Sequence, residues 1–307
     1  MSGEALRSLG DILFQVLAPI VILVAAGFTL QRRLNLDVKS INRVVYFVLS
    51  PSLVYSTILT LTFDPLTTGR SVLFASAHML TMGVLAYLLA RRWRYEGGLA
   101  SAFIIAAILM NNGNYGLPLN LFAFGETGFG YALALFMFNA MVGGAVSIFL
   151  AIRGKSNGLV ALRRTLVQPI VIAMFLGLFS RFTHIAPTGS LMDMVDMAGQ
   201  AAIPVFLLVL GMSLAQTDVR ANLSPVLRLT GVRMLVSPAV ALGLAALVGL
   251  SGVAFSVAVM QASMPSAVNA IVITNEFDAA PDFTAGAVLM TTLTSLITLP
   301  ALLFFLR

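Results

Sequence analysis

Long apolar segments separated by short charged connections are the feature that most limits what this chain can fold into. A helix needs about 20 apolar residues to cross the hydrocarbon of a bilayer. Only 10% of the 307 residues are charged, whereas a soluble protein needs about 25%, so the outer surface is predicted to face lipid. The ten predicted membrane segments are residues 12–30, 41–61, 71–90, 99–124, 131–152, 166–182, 198–215, 223–248, 253–274 and 285–306.

Lysine and arginine are distributed unevenly between the two sets of connections. Fourteen of the 18 basic residues follow odd-numbered segments, and four lie on the opposite side or at the termini. Cytoplasmic loops hold Lys and Arg in excess, so a multi-pass protein of the cell's inner (plasma) membrane with both termini extracytoplasmic is predicted. Short basic loops of this kind do not indicate binding to nucleic acid. Arg233, in the eighth segment, is predicted to extend its side chain to the cytoplasmic face; the alternative is that it attracts an anion.

The two halves of the chain resemble one another at a nearly constant offset. Pro19-Ile-Val-Ile followed by Gly27 recurs as Pro169-Ile-Val-Ile followed by Gly177, an offset of 150. Each half holds five segments, an odd number, so the second half is predicted to enter the membrane from the opposite side. We therefore predict an all-α polytopic membrane protein, a single integrated domain with ten transmembrane helices in two inverted five-helix repeats. The parts are a first repeat (1–152), a cytoplasmic linker (153–165) and a second repeat (166–307).

The fourth and ninth segments carry helix-breaking residues at membrane depth. Asn111-Asn-Gly-Asn-Tyr-Gly-Leu-Pro118 interrupts the fourth, and Gln261-Ala-Ser-Met-Pro-Ser-Ala-Val-Asn269 interrupts the ninth. Proline and glycine both favour leaving helical geometry, and matching interruptions in two halves indicate a transporter's binding site, whose helix N-termini suit an anion. The alternative is that these residues only join helices. The predicted substrate-binding residues are Asn111, Asn112, Asn114, Tyr115, Pro118, Pro265, Ser266 and Asn269.

The two motifs together resemble the signature of the auxin efflux carrier family of membrane transporters, and the resemblance covers essentially the whole chain. That family includes PIN-type auxin carriers and bacterial malate or malonate permeases, and it is distantly similar in fold to sodium–bile acid symporters. The resemblance implies a scaffold half and a transport half, with the fourth and ninth helices crossing at the site. It further implies that Asn111 and Asn112 contact a substrate carboxylate and that Pro265 marks the crossing.

Other polar residues are candidates for accessory roles. Gln261 and His78 are candidate coupling-ion ligands for Na⁺ or H⁺, although a neutral His78 hydrogen-bonded between helices is an equal alternative. Ser50 and Ser52 are candidate cavity-lining residues beside a proline in the second segment. We expect no metal site and no other cofactor, because the chain has no cysteine and two histidines.

The predicted function is secondary active transport, by alternating access, of a small organic anion carrying one or two carboxylates. Residues 99–124 and 253–274 contain no charged side chain, so neutral polar groups and helix dipoles are expected to hold the anion. A sodium-coupled symporter of a larger organic anion, a channel or a receptor are the alternatives. An enzyme is disfavoured, because no carboxylate lies in the middle of a segment. The predicted partners are the substrate and the lipid bilayer, with a homodimer left open.

Overall fold

The computed structural model describes residues 12–60, 64–151, 163–217 and 222–306. Within these ranges the chain is helical apart from its connections and one isolated β-bridge. In chain order the helices are α1 (Phe14–Leu34), α2 (Val38–Thr60), α3 (Pro65–Arg92), α4 (Gly97–Ile108), α5 (Asn112–Ala151), α6 (Pro169–Thr183), α7 (Ser190–Gln216), α8 (Leu223–Leu247), α9 (Gly252–Ala262), α10 (Val268–Glu276) and α11 (Pro281–Leu306).

In the part of the chain that the structure describes, seven helices are long and apolar enough to cross a membrane: α1, α2, α3, α5, α7, α8 and α11. Helices α4, α6 and α9 are apolar but shorter. The prediction of an all-helical membrane protein is confirmed at this level. The 40-residue helix α5 spans the predicted gap between the fourth and fifth segments. Its helical geometry is broken within that gap, at Gly125, where φ is 64° and ψ is −161°.

Two helices begin earlier than the apolar pattern predicted, because polar residues and a glycine start them. Helix α3 begins at Pro65, since the carboxylate of Asp64 accepts a hydrogen bond from the Thr67 backbone N–H at 2.9 Å. Hydrogen bonds from the hydroxyl and the backbone of Thr67 hold the pKa of the Asp64 carboxyl below its usual value. Helix α7 begins after Gly189, whose φ is 59°, and its first two turns include Asp193 and Asp196.

Short π-helical turns interrupt several of the long helices. They cover Val45–Leu49 in α2, Asn112–Gly116 and Asn139–Gly143 in α5, and Val232–Val236 in α8. A π turn adds one residue to a helical turn and is frequent at functional sites. The last three of these turns carry the polar residues that meet near the centre of the molecule.

Helices α1, α2, α6 and α7 pack together as one group. Glycines bring their backbones close: a methyl group at Gly27 of α1 would overlap the Leu208 carbonyl of α7. Helix α6 approaches α2 at Gly177, where a Cβ atom would lie 3.2 Å from the Ile58 Cβ. Small residues at such contacts are typical of helix packing in membranes.

Helices α3, α4, α5 and α8 to α11 form a second group. An apolar cluster joins the two groups, with Val16 of α1 and Leu207 of α7 packing near Tyr115, Met260 and Leu303. The second group contains both helix interruptions that the sequence predicted.

Large apolar side chains also cover much of the outer surface. Leu80 on α3, Leu247 on α8 and Phe305 on α11 are 69%, 81% and 81% exposed. Such surfaces are unfavourable in water but suit contact with lipid. The outside of the molecule therefore agrees with a bilayer environment.

Candidate substrate site at the helix crossing

The two interrupted regions pair with each other through their backbones. The Asn111 N–H donates to the Pro265 carbonyl at 2.8 Å, and the Ala267 N–H donates to the Leu109 carbonyl at 2.9 Å. These bonds form an antiparallel bridge centred on Met110 and Ser266. Extended backbone buried at this depth must find hydrogen-bond partners, and each interruption supplies partners for the other. One interruption therefore lies between α4 and α5, and the other lies between α9 and α10.

Four helix ends meet at this crossing. Helices α4 and α9 reach it with their C-terminal ends, at Ile108 and Ala262, while α5 and α10 start from it at Asn112 and Val268. Helix C-termini carry partial negative charge and N-termini partial positive charge. The crossing thus brings two ends of each sign into one small region.

Arg233, on the π turn of α8, is fully buried against the two C-terminal ends. Its Nε donates to the Met264 carbonyl at 2.9 Å, its Nη1 to the Ala107 carbonyl at 3.0 Å, and its Nη2 to the Ala262 carbonyl at 2.8 Å. Carbonyls in the last turn of a helix lack intrahelical partners. The guanidinium satisfies these carbonyls and places a positive charge where the dipoles are negative.

Two sequence-based predictions about Arg233 are therefore wrong. The side chain does not extend to the cytoplasmic face, and the crossing is not without a basic residue. The residue is distant in sequence from both motifs, and only the packing of α8 against α4 and α9 brings it to their ends. An arginine with hydrogen bonds to buried carbonyls is held inside, whereas the long stem alone would have allowed it to reach the surface.

Ser237, one turn after Arg233 on α8, connects the guanidinium to His78 of α3. Its hydroxyl accepts from Arg233 Nη1 at 3.0 Å and donates to the Ala262 carbonyl at 2.8 Å. The single hydroxyl proton is then in use, so Ser237 accepts from His78 Nε2, which lies 3.1 Å away. In a neutral imidazole Nδ1 is then an acceptor, and among the described residues it has no hydrogen-bond partner.

A small cavity lies beside the crossing and has four polar residues in its wall: His78, Asn112, Asn139 and Gln261. Each of these side chains is at most 6% exposed. The rest of the wall is apolar and includes Phe74, Met79, Leu135 and Phe138. The cavity has room for about one water molecule.

Hydrogen bonds orient two of the amides in this wall. Asn139 Nδ2 donates to the Met110 carbonyl at 3.2 Å, and Gln261 Nε2 donates to the Ala132 carbonyl at 3.1 Å. Their amide oxygens, together with Asn112 Oδ1, are buried and have no hydrogen-bond partner within the described ranges. A buried polar atom without a partner is unfavourable unless a ligand or water completes it.

Most of the predicted binding residues lie buried at the crossing, but they differ in their hydrogen bonds and in what they pack against. The Ser266 hydroxyl donates to the Ala106 carbonyl at 2.7 Å, so it holds α4 in place. Asn111 Nδ2 is a buried donor with no partner among the described residues. Tyr115 packs in the apolar cluster that joins the helix groups, and Asn114 is half-buried. Pro118 and Pro265 are buried.

Asn269 is the second residue of α10 and follows the crossing directly, but its side chain is exposed. Two predicted residues are not brought to the crossing. Ser50 and Ser52 lie on α2, which packs on α6 and α7, and neither is in the wall of the cavity. Of the two candidate coupling-ion ligands, both His78 and Gln261 line that cavity.

Sequence reasoning missed Asn139 and Ser237 and misplaced Arg233. Asn139 lies in an otherwise apolar stretch of α5, and a polar residue at membrane depth is a functional candidate by default. That signal was available for Asn139. Ser237 carried no such signal, because serine is common inside membrane helices.

The described residues form helices with an apolar outer surface, and two interrupted helices pair around buried polar groups. This arrangement is typical of a membrane transport protein. Residues 12–303 match the profile of the family described as "Membrane transport protein", and the chain belongs to that family. The family resemblance read from the two motifs is thereby confirmed. The family and the names of the relatives alike indicate a transporter.

Three relatives illustrate the family. An "Uncharacterized transporter" of Methanothermobacter thermautotrophicus is 29% identical over 86% of this chain and 87% of its own length. An "Uncharacterized transporter" of Methanocaldococcus jannaschii is 25% identical over 84% of this chain and 86% of its own. A "Putative malonate transporter" of Rhizobium meliloti is 29% identical over 64% of each chain.

Proposed function

We propose that this protein is a secondary active transporter of a small organic anion and that the anion binds at the helix crossing. The observation that carries the proposal is the arrangement of charges around the paired interruptions. Arg233 covers the negative ends of α4 and α9, while the positive ends of α5 and α10 face the same region. The remaining partial charge favours a negative group.

The chemistry of nearby side chains also supports a negatively charged substrate. Among the described residues, the hydrogen-bond partners of Arg233 are backbone carbonyls and the Ser237 hydroxyl, and none is a carboxylate. A buried guanidinium whose partners are neutral makes its surroundings attractive to an anion. Asn111 Nδ2 offers a donor beside the positive end of α5. The name of the Rhizobium relative points to a carboxylate.

We further propose ten membrane spans in two inverted repeats. In this interpretation α4 and α5 up to Gly125 form the fourth span, the rest of α5 forms the fifth, and α9 with α10 forms the ninth. The contact of Gly27 with Leu208 and the contact of Gly177 with Ile58 support the repeat. Gly27 and Gly177 are 150 residues apart, and so are Ile58 and Leu208, so the offset found in the sequence converts one contact into the other.

Alternating access would then use the two helix groups as its moving parts. The group of α1, α2, α6 and α7 is held by close glycine contacts and would serve as the scaffold. The other group contains the crossing and would carry the anion between the two sides of the inner membrane. We expect both termini on the extracytoplasmic side, because thirteen of the basic residues remain on the opposite face once Arg233 is removed from that count.

Counterflow in proteoliposomes tests the proposal. Vesicles are preloaded with unlabelled malonate, malate, lactate or acetate, and uptake of the labelled form of the same anion is followed. A carrier gives saturable, transient accumulation above the external level, whereas a channel gives equilibration and a receptor gives no uptake. Accumulation of cationic or sugar compounds, with none for any carboxylate at millimolar concentration, would refute the proposed substrate class.

A further inference from the structure

The connection between α10 and α11 is acidic, although the proposed topology places it on the face that holds most of the basic residues. It carries Glu276, Asp278 and Asp282, and residues 276–282 include no Lys or Arg. Glu276 is also the last residue of α10, and a negative side chain is unfavourable at the negative end of a helix. A cation from elsewhere in the protein would therefore stabilise this end of α10.

Arg164 supplies that cation. Its Nη1 donates to Glu276 Oε1 at 2.9 Å, and its guanidinium lies 5.8 Å from the centre of the Phe277 ring. The side chains of Arg164 and Glu276 are 51% and 56% exposed, so water can solvate both charges when they separate. An exposed ion pair changes an equilibrium by at most about fivefold. Such a contact is weak enough to break and form again in every transport cycle.

Arg164 is connected to the first helix group. It lies in a short helical turn, residues 163–166, in which Thr165 is 1% exposed. Backbone hydrogen bonds join this turn to α6: the Gln168 N–H donates to the Thr165 carbonyl at 3.1 Å, and the Val171 N–H donates to the Gln168 carbonyl at 3.0 Å. A movement of α6 and its neighbour α2 would therefore carry Arg164 with it.

Glu276 is connected to the second helix group through α10. This helix begins at Val268, directly after the crossing, and its Ala270 packs in a cluster with Ile105 of α4 and Ala151 of α5. Nine helical residues are roughly 13 Å long. One short, straight element thus joins the proposed anion site to the ion pair, and a shift of α10 at the crossing would be felt by Glu276.

We propose that Arg164, Glu276 and Phe277 form a cytoplasmic latch, which holds the two helix groups together and keeps the crossing closed to the cytoplasm. The latch is closed in this structure. Alternating access moves one group against the other, so the latch must open before the anion is exchanged with the cytoplasm. This inference rests on the proposed function and adds a contact that sets the balance between its two access states.

Charge reversal tests the latch. The half-saturation concentration of the transported anion is measured at the cytoplasmic face in inverted membrane vesicles and at the outer face in intact cells. Arg164→Glu and Glu276→Arg each place like charges together, so each should lower the value at the cytoplasmic face by about two- to fivefold and raise it at the outer face. The double variant, with the two charges exchanged, should restore both values.

Arg228→Glu is the matched control. Arg228 is also an exposed arginine, with a hydrogen bond to the Tyr95 hydroxyl at 3.3 Å and its guanidinium over the Trp93 ring. Both partners belong to the second helix group, as Arg228 does, so this contact does not join the two groups. Reversing its charge should not shift the two half-saturation concentrations in opposite directions.

Cross-linking tests the same contact without relying on charge. The chain contains no cysteine, so Arg164→Cys combined with Glu276→Cys can be joined selectively by a short bismaleimide. Uptake should stop in the cross-linked fraction, because the groups can no longer separate. Tyr95→Cys combined with Arg228→Cys is cross-linked within one group and should keep its uptake.

The outcomes separate the latch from the proposed function. The latch is overturned, with anion transport left standing, if the single variants leave both half-saturation concentrations unchanged or move both in the same direction. Failure of the double variant to restore them, or full uptake by the cross-linked Arg164 and Glu276 pair, overturns it equally. If the unmodified protein takes up no carboxylate at either face, the proposed function fails and the latch fails with it.

Discussion

The amide Nδ2 of Asn111 is a buried donor at the crossing with no hydrogen-bond partner among the described residues, and the Tyr115 hydroxyl is a second one. The Asn111 backbone N–H is already bonded to Pro265, so changing the side chain leaves the pairing of the interruptions intact. We expect Asn111→Leu to weaken anion binding by about 10- to 150-fold through the loss of one hydrogen bond to a charged group. The dissociation constant for malonate, or for whichever carboxylate gives counterflow, is the measurement.

The matched variant is Asn269→Leu on α10. The side chain of Asn269 is exposed, so the same replacement there should change the dissociation constant by less than about twofold. Equal losses in both variants would contradict the assignment of Asn111 and would restore Asn269 as a ligand.

Arg233 is expected to stabilise the protein as well as the site. In Arg233→Met the carbonyls of Ala107 and Met264 lose their donors, while the Ala262 carbonyl keeps the Ser237 hydroxyl; each unpaired buried group is unfavourable by roughly 1–3 kcal/mol. We therefore expect a loss of about 2 kcal/mol or more, measured as a lower melting temperature in detergent. Arg233→Lys should recover part of this, since an ammonium has three donors but not the planar fork of a guanidinium.

Arg228 provides the control on the same helix. It lies at the surface, with its guanidinium 4.9 Å from the centre of the Trp93 ring, and exposed contacts of this kind contribute about 0.5–1 kcal/mol. A melting temperature that falls equally in Arg228→Met and Arg233→Met would contradict the structural role given to Arg233.

At the scale of elements, the contact between α1 and α7 depends on the missing side chain of Gly27. A methyl group there would overlap the Leu208 carbonyl, which is backbone and cannot move aside without shifting α7. We expect Gly27→Ala to destabilise the protein by about 1–3 kcal/mol, as overpacking of a close contact does. Thermal unfolding in detergent, followed by loss of the monodisperse peak, measures the effect.

Gly243 on α8 is a matched glycine in an open position, where an added Cβ would meet no atom within 4 Å. Alanine is the better helix former by roughly 0.5–1 kcal/mol, so Gly243→Ala should leave the melting temperature unchanged or raise it. A fall similar to that of Gly27→Ala would mean that the contact with Leu208 is not the cause.

At the scale of the whole molecule, the orientation in the membrane is open to a direct test because the chain contains no cysteine. A single cysteine in Ser2→Cys should react with a membrane-impermeant maleimide in intact cells, and one in Ser156→Cys should react only after permeabilisation. The reason is the excess of Lys and Arg in connections that follow odd-numbered segments. The opposite pattern of labelling would invert the proposed topology.

The sequence by itself determined the helical membrane class, the family and the two places where helices are interrupted. These properties follow from local chemistry. The length of an apolar segment specifies a membrane helix, and Asn, Gly and Pro together interrupt a helix whatever its tertiary surroundings. Helix starts were less predictable, since Asp64 and Gly189 start α3 and α7 ahead of the apolar pattern.

Only the tertiary structure decided which polar residues share the site. Asn111 and Pro265 are 154 residues apart, and their backbone bond exists because each interruption needs partners that its own helix cannot supply. Arg233 was assigned to the surface from sequence, because a long basic side chain near a helix end usually reaches water. Its actual position depends on carbonyls of α4 and α9, and burial among those distant groups is a property of the packed helices, not of the local sequence.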